Sequence, residues 1–123
     1  MKPIEIAFVI YAVSDLKKGR DFYERVLGLT PASVWSEDGI TGMIEYEMGS
    51  HTLAIGKGAP SFNPGPNGAA VALEVEDFDS AAKALKDSGV KFLVEPTETP
   101  VCHMAVFQDP DGNNLMIHKR KNK

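Results

Sequence analysis

The sequence predicts an α+β protein made of two tandem βαβββ modules, and three observations support this. The first is an internal repeat, because AFVIYAVSDL from Ala7 matches AAVALEVEDF from Ala69 at a constant offset of 62 residues. The second is a pair of amphipathic helical segments, each preceded by an Asp that can cap a helix. The third is the hairpin AVFQDPDGNNLMIH at residues 105–118, in which Pro110 and Gly112 favour a tight turn.

The first module is predicted over residues 4–57. Residues 4–13 are almost continuously apolar and rich in β-branched side chains, which favours a central strand buried on both faces. Ser14 or Asp15 can then cap a helix over residues 16–27, where apolar side chains recur at helical spacing. Three further strands are predicted at residues 29–36, 41–48 and 51–56.

The second module is predicted over residues 68–119, after a linker at residues 58–67. The linker, GAPSFNPGPN, contains three Pro and two Gly and therefore favours no regular element. Asp77 is the predicted cap of the second helix. The elements of this module are a strand at 68–75, a helix at 78–88 and strands at 90–95, 102–108 and 113–118. We interpret the whole chain, residues 1–123, as a single domain.

The composition indicates a cytoplasmic protein with no nucleic-acid or membrane partner. The net charge is −4 and the isoelectric point is about 5.3, which disfavours binding to polyanions. No apolar run reaches the roughly 18 residues needed to span a bilayer, and the N-terminal residues lack a signal-peptide pattern. The lone Cys102 excludes an internal disulfide and suits a reducing compartment. The basic tail at residues 119–123 is expected to be a solvated end.

Three motifs, in this order, resemble the vicinal oxygen chelate superfamily, which includes glyoxalase I, bleomycin and fosfomycin resistance proteins and extradiol dioxygenases. They are VSDL with FYERVLGL at residues 13–16 and 22–29, VEDFDSAAKAL at 75–85, and DPDGN at 109–113. The resemblance covers nearly the whole chain. It implies that the two modules form an open, curved mixed sheet with a cleft, and that the protein is a homodimer. One fold hosts many activities, so the resemblance does not fix the function.

The metal site of this superfamily is not expected here. In its metal-dependent members, His or Glu side chains from the first and fourth strands of each module hold a divalent ion. The matching positions in this sequence are Phe8, Ala54, Ala70 and Met116. Phe and Ala offer no donor atom, and the Met thioether favours soft metals. We therefore expect no metal and no other cofactor, which disfavours the metal-dependent glyoxalase and dioxygenase mechanisms.

The face that carries these four positions is the predicted ligand site. Strand side chains alternate between faces, and a two-residue turn at Gly49 and Ser50 would set Glu45 opposite Ala54. Trp35 is either a stacking wall for a planar ligand or a core residue. The predicted ligand-binding residues are Phe8, Ile10, Trp35, Glu47, Ala54, Ala70, Ala72, Cys102, Met104, Val106 and Met116. An apolar floor with few polar groups is typical of small-molecule pockets.

Three polar residues on the same face, His118, Glu45 and Glu74, are the candidate catalytic groups. A histidine can act as a base near neutral pH, or His118 can simply be a solvated strand end. The two glutamates either assist it or are rim carboxylates in water. Cys102 is favoured as a structural residue, because the adjacent His103 points to the opposite face of the strand.

The sequence thus predicts a protein that resembles the glyoxalase and bleomycin-resistance group and binds a small organic molecule in a mainly apolar, metal-free cleft, for sequestration, resistance or sensing. A first alternative is a metal-independent lyase or isomerase, in which His118 works with Glu45 or Glu74 in proton transfer. A second alternative is an accessory structural module with a vestigial cleft. The expected partners are a small-molecule ligand and a second copy of the chain.

Overall fold

The computed structural model describes residues 1–2, 4–59 and 62–121, and it consists of two compact units, Met1–Pro64 and Gly65–Lys123. Each unit contains one four-stranded mixed sheet and one main helical segment that contacts it. In each sheet the first strand of the unit runs parallel to the last strand, and the other pairs are antiparallel. The predicted α+β class and the βαβββ order of both modules are confirmed.

The first unit places its strands in the order β1-β4-β3-β2. Its helix begins at Leu16 after the cap Asp15 and continues as a π-helical segment. The bounds of its elements are β1 Val9–Ala12, α1 Leu16–Arg20, the π-helical segment Asp21–Val26, β2 Pro31–Trp35, β3 Gly42–Met48 and β4 His51–Lys57.

The second unit repeats this arrangement, with the strand order β5-β8-β7-β6. Its helix is regular and lies within one residue of the predicted bounds. The bounds of its elements are β5 Val71–Glu74, α2 Phe78–Asp87, β6 Phe92–Glu98, β7 Cys102–Gln108 and β8 Asn114–Arg120. In the described part of the chain, no helix is long and apolar enough to cross a membrane.

The internal repeat corresponds to equivalent structure in both units. The bounds of β1 and β5 differ by the same 62 residues as the sequence match. The two predicted caps are also equivalent, because Asp15 accepts the backbone N–H of Lys18 and Asp77 accepts that of Ser80, each at 3.0 Å. Satisfying these N–H groups fixes the start of each helix after its strand.

The core of the first unit lies between its sheet and its helical segment. The side chains that strand alternation places on the helix side of the sheet, Ile44, Tyr46, Leu53 and Ile55, are all buried. The Tyr23 ring stacks on the Tyr46 ring with centroids 6.1 Å apart. The Tyr46 hydroxyl donates to Glu24 Oε2 at 2.9 Å, and Glu24 also accepts from Arg20 Nε at 2.7 Å. Burial, with the Glu24 carboxylate as a second cause, raises the pKa of Tyr46 well above its usual range.

The hairpin between β7 and β8 has the predicted turn. Gly112 has a φ of +82°, and its N–H donates to the Asp109 carbonyl at 3.0 Å. The buried Asp109 side chain accepts the N–H groups of Asp111 and Asn113, each at 2.9 Å. Successive side chains of β8 point to opposite faces of the sheet, and Leu115 and Ile117 share the face that is buried in the core of the second unit.

The first strand is shorter and less buried than predicted. The apolar run at residues 4–13 yields only β1, which is an edge strand of its sheet, and Ile4, Ile6 and Phe8 are exposed. The length of β1 is limited by its partner strand β4, which begins at His51 directly after the turn. The parallel pairing of the two strands starts with Val9 opposite Leu53. An apolar run without a neighbouring strand has nothing to pair with.

Three other predictions need correction. The helix predicted over 16–27 is a regular α-helix only to Arg20, and the wider π-helical turns that follow leave the adjacent Phe22 and Tyr23 both buried.

The strand predicted at 90–95 is β6, which runs to Glu98 through Pro96. Its register with β7 shifts, which an edge strand tolerates. The basic tail is not wholly solvated, because β8 extends to Arg120 and Lys121 Nζ contacts the Glu98 carboxylate; residues 122–123 lie outside the described part.

Candidate functional site

The sheet face of the first unit that points away from the helical segment carries the predicted site residues of that unit. One row across the sheet joins Ile10, Ala54, Glu45 and Ser33, which are opposite each other on β1, β4, β3 and β2. The predicted pairing of Glu45 with Ala54 is confirmed, and Met48 lies opposite His51 beside the turn. Ala54 is fully buried, and Ile10 and Glu45 on either side of it are half-buried.

A cavity of about 380 Å³ opens on this face, at the end of the sheet where β2 meets the loop to β3. Its walls are mostly apolar, with Trp35 and Phe62 as the two aromatic side chains. The complete lining is Ile10, Trp35, Thr41, Gly42, Met43, Gly56, Lys57, Gly58, Ala59 and Phe62. Its volume lies within the range of about 300–1,000 Å³ that is usual for small-molecule sites.

The floor of the cavity depends on the missing side chain of Gly56. Gly56 lies opposite Met43 on β3, and Met43 lies opposite Trp35 on β2, so the three share one row. A Cβ atom at Gly56 would lie 3.0 Å from Ile10 Cδ1. Any larger residue would therefore fill space that now belongs to the cavity.

The loop between β2 and β3 holds the Trp35 wall in place. The Asp38 carboxylate accepts the backbone N–H of Ile40 at 2.8 Å and that of Thr41 at 2.7 Å, as well as the Thr41 hydroxyl at 3.0 Å. These hydrogen bonds lower the pKa of Asp38. At Gly42 the two strands approach so closely that a Cβ atom would lie 2.1 Å from the Trp35 carbonyl oxygen. Trp35 itself is 58% exposed, so it is not a core residue.

The ionisable side chains on this face of the sheet are acidic. Glu45 is half-buried and Glu47 is exposed, one pleat further along β3. Lys57 contributes to the cavity rim, but alternation along β4 directs its side chain to the opposite face. The pKa of Asp15 supports that direction: it is lowered chiefly by the Lys18 N–H, and the Lys57 charge adds to the effect.

In the second unit the structure brings together two of the three candidate catalytic residues. Glu74 on β5 and His118 on β8 are opposite each other, with Glu74 Oε1 2.6 Å from His118 Nδ1. Glu74 Oε2 accepts the backbone N–H of Arg120 at 2.7 Å. The His118 contact, followed by this N–H, lowers the pKa of Glu74. An ionised carboxylate only accepts hydrogen bonds, so Nδ1 carries the hydrogen in this contact, and Nε2 is an acceptor whenever the imidazole is neutral.

The other predicted ligand residues of the second unit, with the exception of Ala70, lie in the same sheet. Ala72, Met116 and Val106 form one row across β5, β8 and β7, and Met104 lies opposite His118 in the next row. The Cys102 side chain is buried, with Sγ 3.2 Å from Thr99 Oγ1. His103 points to the other face as predicted, where its ring lies 5.6 Å from that of Phe78 on α2.

The four inherited metal positions do not form a donor set for a divalent ion. Phe8 and Ala70 directly precede β1 and β5, Ala54 is buried in β4, and Met116 is half-buried in β8. The Met116 thioether is the one side-chain donor among them, and it is a soft one. Within residues 1–2, 4–59 and 62–121, no three His, Cys, Asp or Glu side chains are grouped as metal ligands.

The predicted residues fall into two groups, one in each unit. Ile10, Ala54, Glu45, Glu47 and Trp35 belong to the first unit, whereas the His118–Glu74 pair belongs to the second. Of the cavity lining, only Ile10 and Trp35 were predicted. Met43 and Gly56 could have been found from the alternation that placed Glu45 and Ala54. Phe62 could have been suspected because it is an isolated aromatic residue in the predicted linker.

Comparison with solved structures supports the fold over the whole chain. TnmS3, an antibiotic binding protein from Streptomyces sp. CB03234, is 23% identical with a TM-score of 0.80, and the match covers 98% of this chain and 99% of that one. A glyoxalase/bleomycin resistance protein/dioxygenase superfamily member from Sphaerobacter thermophilus is 27% identical, with a TM-score of 0.75 and coverages of 95% and 98%. The genomically encoded fosfomycin resistance protein FosX from Listeria monocytogenes is 14% identical, with a TM-score of 0.78 and coverages of 98% and 97%.

The sequence itself was also compared with known proteins. A search of curated proteins gave no match. Residues 5–117, which include every strand and helix except the end of β8, match a family profile. By that match, the chain belongs to the Glyoxalase/Bleomycin resistance protein/Dioxygenase superfamily.

Proposed function

We propose that this protein binds a small organic molecule in the cavity of its first unit, without a metal ion, and that it acts in the cytoplasm by sequestration, resistance or sensing. The observation that carries this proposal is the cavity of about 380 Å³ with Trp35 and Phe62 as aromatic walls. The exposed Trp35 ring and the half-buried Phe62 ring beside an apolar cavity favour burial of a ligand surface. The antibiotic-binding and fosfomycin-resistance proteins of the same fold make this class of ligand reasonable.

The absence of suitable donors at Phe8, Ala54 and Ala70 supports the metal-free part of the proposal. Affinity would then come from apolar contact with Ile10 and Met43 and from stacking on Trp35. Aromatic stacking adds about 0.5–1.5 kcal/mol beyond the buried area. That amount corresponds to a change of roughly 2- to 12-fold in the dissociation constant.

Titration with the uncharged probe N-phenyl-1-naphthylamine tests the proposal. Trp35 is the single Trp of the chain and lines the cavity, so all Trp emission comes from the cavity wall. We expect saturable quenching of Trp35 and a rise in probe emission. Weaker binding is expected when Gly56→Val fills the floor. Val34→Ala is a matched control, because Val34 is the neighbour of Trp35 on the other face of β2. Equal binding by wild type and Gly56→Val would contradict this location for the site.

A second candidate function, metal-independent proton transfer, is favoured by the 2.6 Å contact between His118 Nδ1 and Glu74 Oε1. The carboxylate orients the imidazole, and Nε2 is left to take a proton from a carbonyl compound. Glu45 belongs to the first unit, whereas Glu74 contacts His118 directly, so Glu74 is the preferred assistant.

Hydrogen–deuterium exchange at the α-carbons of a ketone panel, followed by NMR, tests this activity. An enzyme would lose exchange in His118→Ala and lose part of it in Glu74→Gln. Exchange that is indistinguishable from buffer in the wild type would exclude this function for the panel. The third reading, an accessory module with a vestigial cleft, requires that neither exchange nor probe binding is seen.

A further inference from the structure

We infer that the cavity of the first unit selects organic ammonium ions, in which a flat apolar body carries a protonated amine, over neutral or acidic molecules of the same shape. This inference rests on the proposed binding function and adds the charge of the ligand. It depends on three features of the first unit: the acidic strand β3, the exposed Trp35 ring and the position of the basic side chains.

The strands themselves set the charge of the face that carries the cavity. All of β1 to β4 is described, and the ionisable side chains of these strands that alternation places on the cavity face are Glu45 and Glu47. The basic side chains of the strands, His51 and Lys57, fall on the opposite face with Leu53 and Ile55. A ligand over this face therefore meets these carboxylates, and Lys57, which lines the cavity rim, is the strand cation nearest to it.

Glu45 is close enough to the cavity to pair with a ligand. Met43 lines the cavity, and Glu45 is the next residue on the same face of β3, about 7 Å further along the strand. Glu45 also shares a row with Ile10, which lines the cavity from β1. The hydrogen bonds and ion pairs of the described residues give the half-buried Glu45 side chain no partner. Its charge is available to an ammonium group.

Trp35 supplies a second element of cation recognition. The residue is 58% exposed and its ring forms a cavity wall, so one face of the ring can receive a ligand. Trp is the side chain that attracts cations most strongly through its ring quadrupole. The apolar body of the same ligand would contact Ile10, Met43 and Phe62. A site that combines the face of the Trp35 ring with the Glu45 carboxylate, one pleat beyond Met43 on β3, suits an amine attached to an aromatic ring.

Calorimetry with three matched probes, naphthylmethylammonium, naphthylmethanol and naphthoate, tests the inference on the full chain at physiological salt. We expect the ammonium to bind most tightly and the carboxylate most weakly. Glu45→Gln should weaken ammonium binding about 2- to 5-fold, as for a partly exposed ion pair, and leave naphthylmethanol unchanged. Asp79→Asn on α2 of the second unit is the matched control. It removes the same charge from the protein, so it separates a local contact from the general effect of net charge.

The outcomes separate this inference from the proposal on which it rests. If naphthylmethanol binds but the ammonium is not preferred, or if Glu45→Gln and Asp79→Asn have equal effects, the ammonium inference is wrong and the binding function stands. If none of the three probes binds, both fall. A loss confined to Glu45→Gln and to the ammonium probe supports both. Circular dichroism of Glu45→Gln excludes unfolding as the cause of a loss.

Discussion

His118 Nδ1 lies 2.6 Å from Glu74 Oε1 and joins the two parallel strands β5 and β8 at the end of the second sheet. The second carboxylate oxygen of Glu74 accepts the N–H of Arg120, so one side chain contacts both a side chain and the backbone of β8. Both contacts are strongest when the carboxylate is ionised.

The second unit should lose part of its stability in acid through Glu74. Its pKa is lowered from an ordinary value of 4.5 by His118 first and by the Arg120 N–H second. A lowered pKa in the folded state means a stabilising contribution that is full above 4.5 and is lost as the pH falls through the lowered value. Because Gln does not titrate, the difference in unfolding free energy between wild type and Glu74→Gln should shrink below pH 4.5. A difference in denaturant unfolding that stays constant or grows toward about pH 3 would contradict this.

The Tyr46 hydroxyl should stabilise the first unit through Glu24. Tyr46 is fully buried and donates to Glu24 Oε2 at 2.9 Å. Hydrogen bonds to charged groups contribute about 1.5–3 kcal/mol, so Tyr46→Phe should lower the unfolding free energy by about that amount. Since Arg20 still binds Glu24, the lower end of the range is expected. A double-mutant cycle with Glu24→Ala measures the pair, and a coupling energy near zero would show that the hydrogen bond contributes nothing to stability.

The sequence predicts best where turn chemistry and periodicity agree. The β7–β8 hairpin follows from Asp109 and Gly112, and the helix caps Asp15 and Asp77 follow from the repeat. The length of β1 was not predictable, because an apolar run does not reveal where its partner strand begins.

The candidate site shows the same limit. Trp35 and Ile10 are large enough to suggest a role by their type and spacing, and both line the cavity. Gly56 contributes by lacking a side chain, and Phe62 by the path of an irregular linker. Neither property leaves a periodic pattern in the sequence. Likewise, the contact of Glu74 with His118 depends on strand pairing across 44 residues.

The purified protein is predicted to hold no stoichiometric zinc, nickel, manganese or iron. A tightly bound ion needs about three N, O or S ligands, and Phe8, Ala54 and Ala70 provide none. An ion that bound only the folded state would raise its stability, and removing that ion would lower the thermal midpoint. Since no ion is expected to be bound, a chelator should leave the thermal midpoint unchanged. A molar ratio near one metal ion per chain in elemental analysis would contradict this prediction. The substitute ligands to examine would then be Glu45, Glu47, Glu74 and His118.

The protein is predicted to be a homodimer with an isologous interface. Strands β2 and β6 are edges of their sheets, and apolar side chains on them, such as Val34 and Leu93, are exposed. Exposed edges promote association unless they are covered, and a symmetric pair covers the same patch on both copies. Light scattering at micromolar concentration should give twice the chain mass of 13.3 kDa. A mass equal to one chain would refute the prediction.

The central claim, a ligand site in the first unit, is tested most directly by mapping amide shifts in ¹⁵N-labelled protein during titration with naphthylmethanol. The account predicts saturable shifts at the backbone amides of Gly42, Gly56 and Gly58 and at the Trp35 indole N–H, all of which border the cavity. These shifts should disappear together in Gly56→Val. Shifts concentrated instead around Met116 and His118 in the second sheet, or no saturable shifts at all, would contradict the claim.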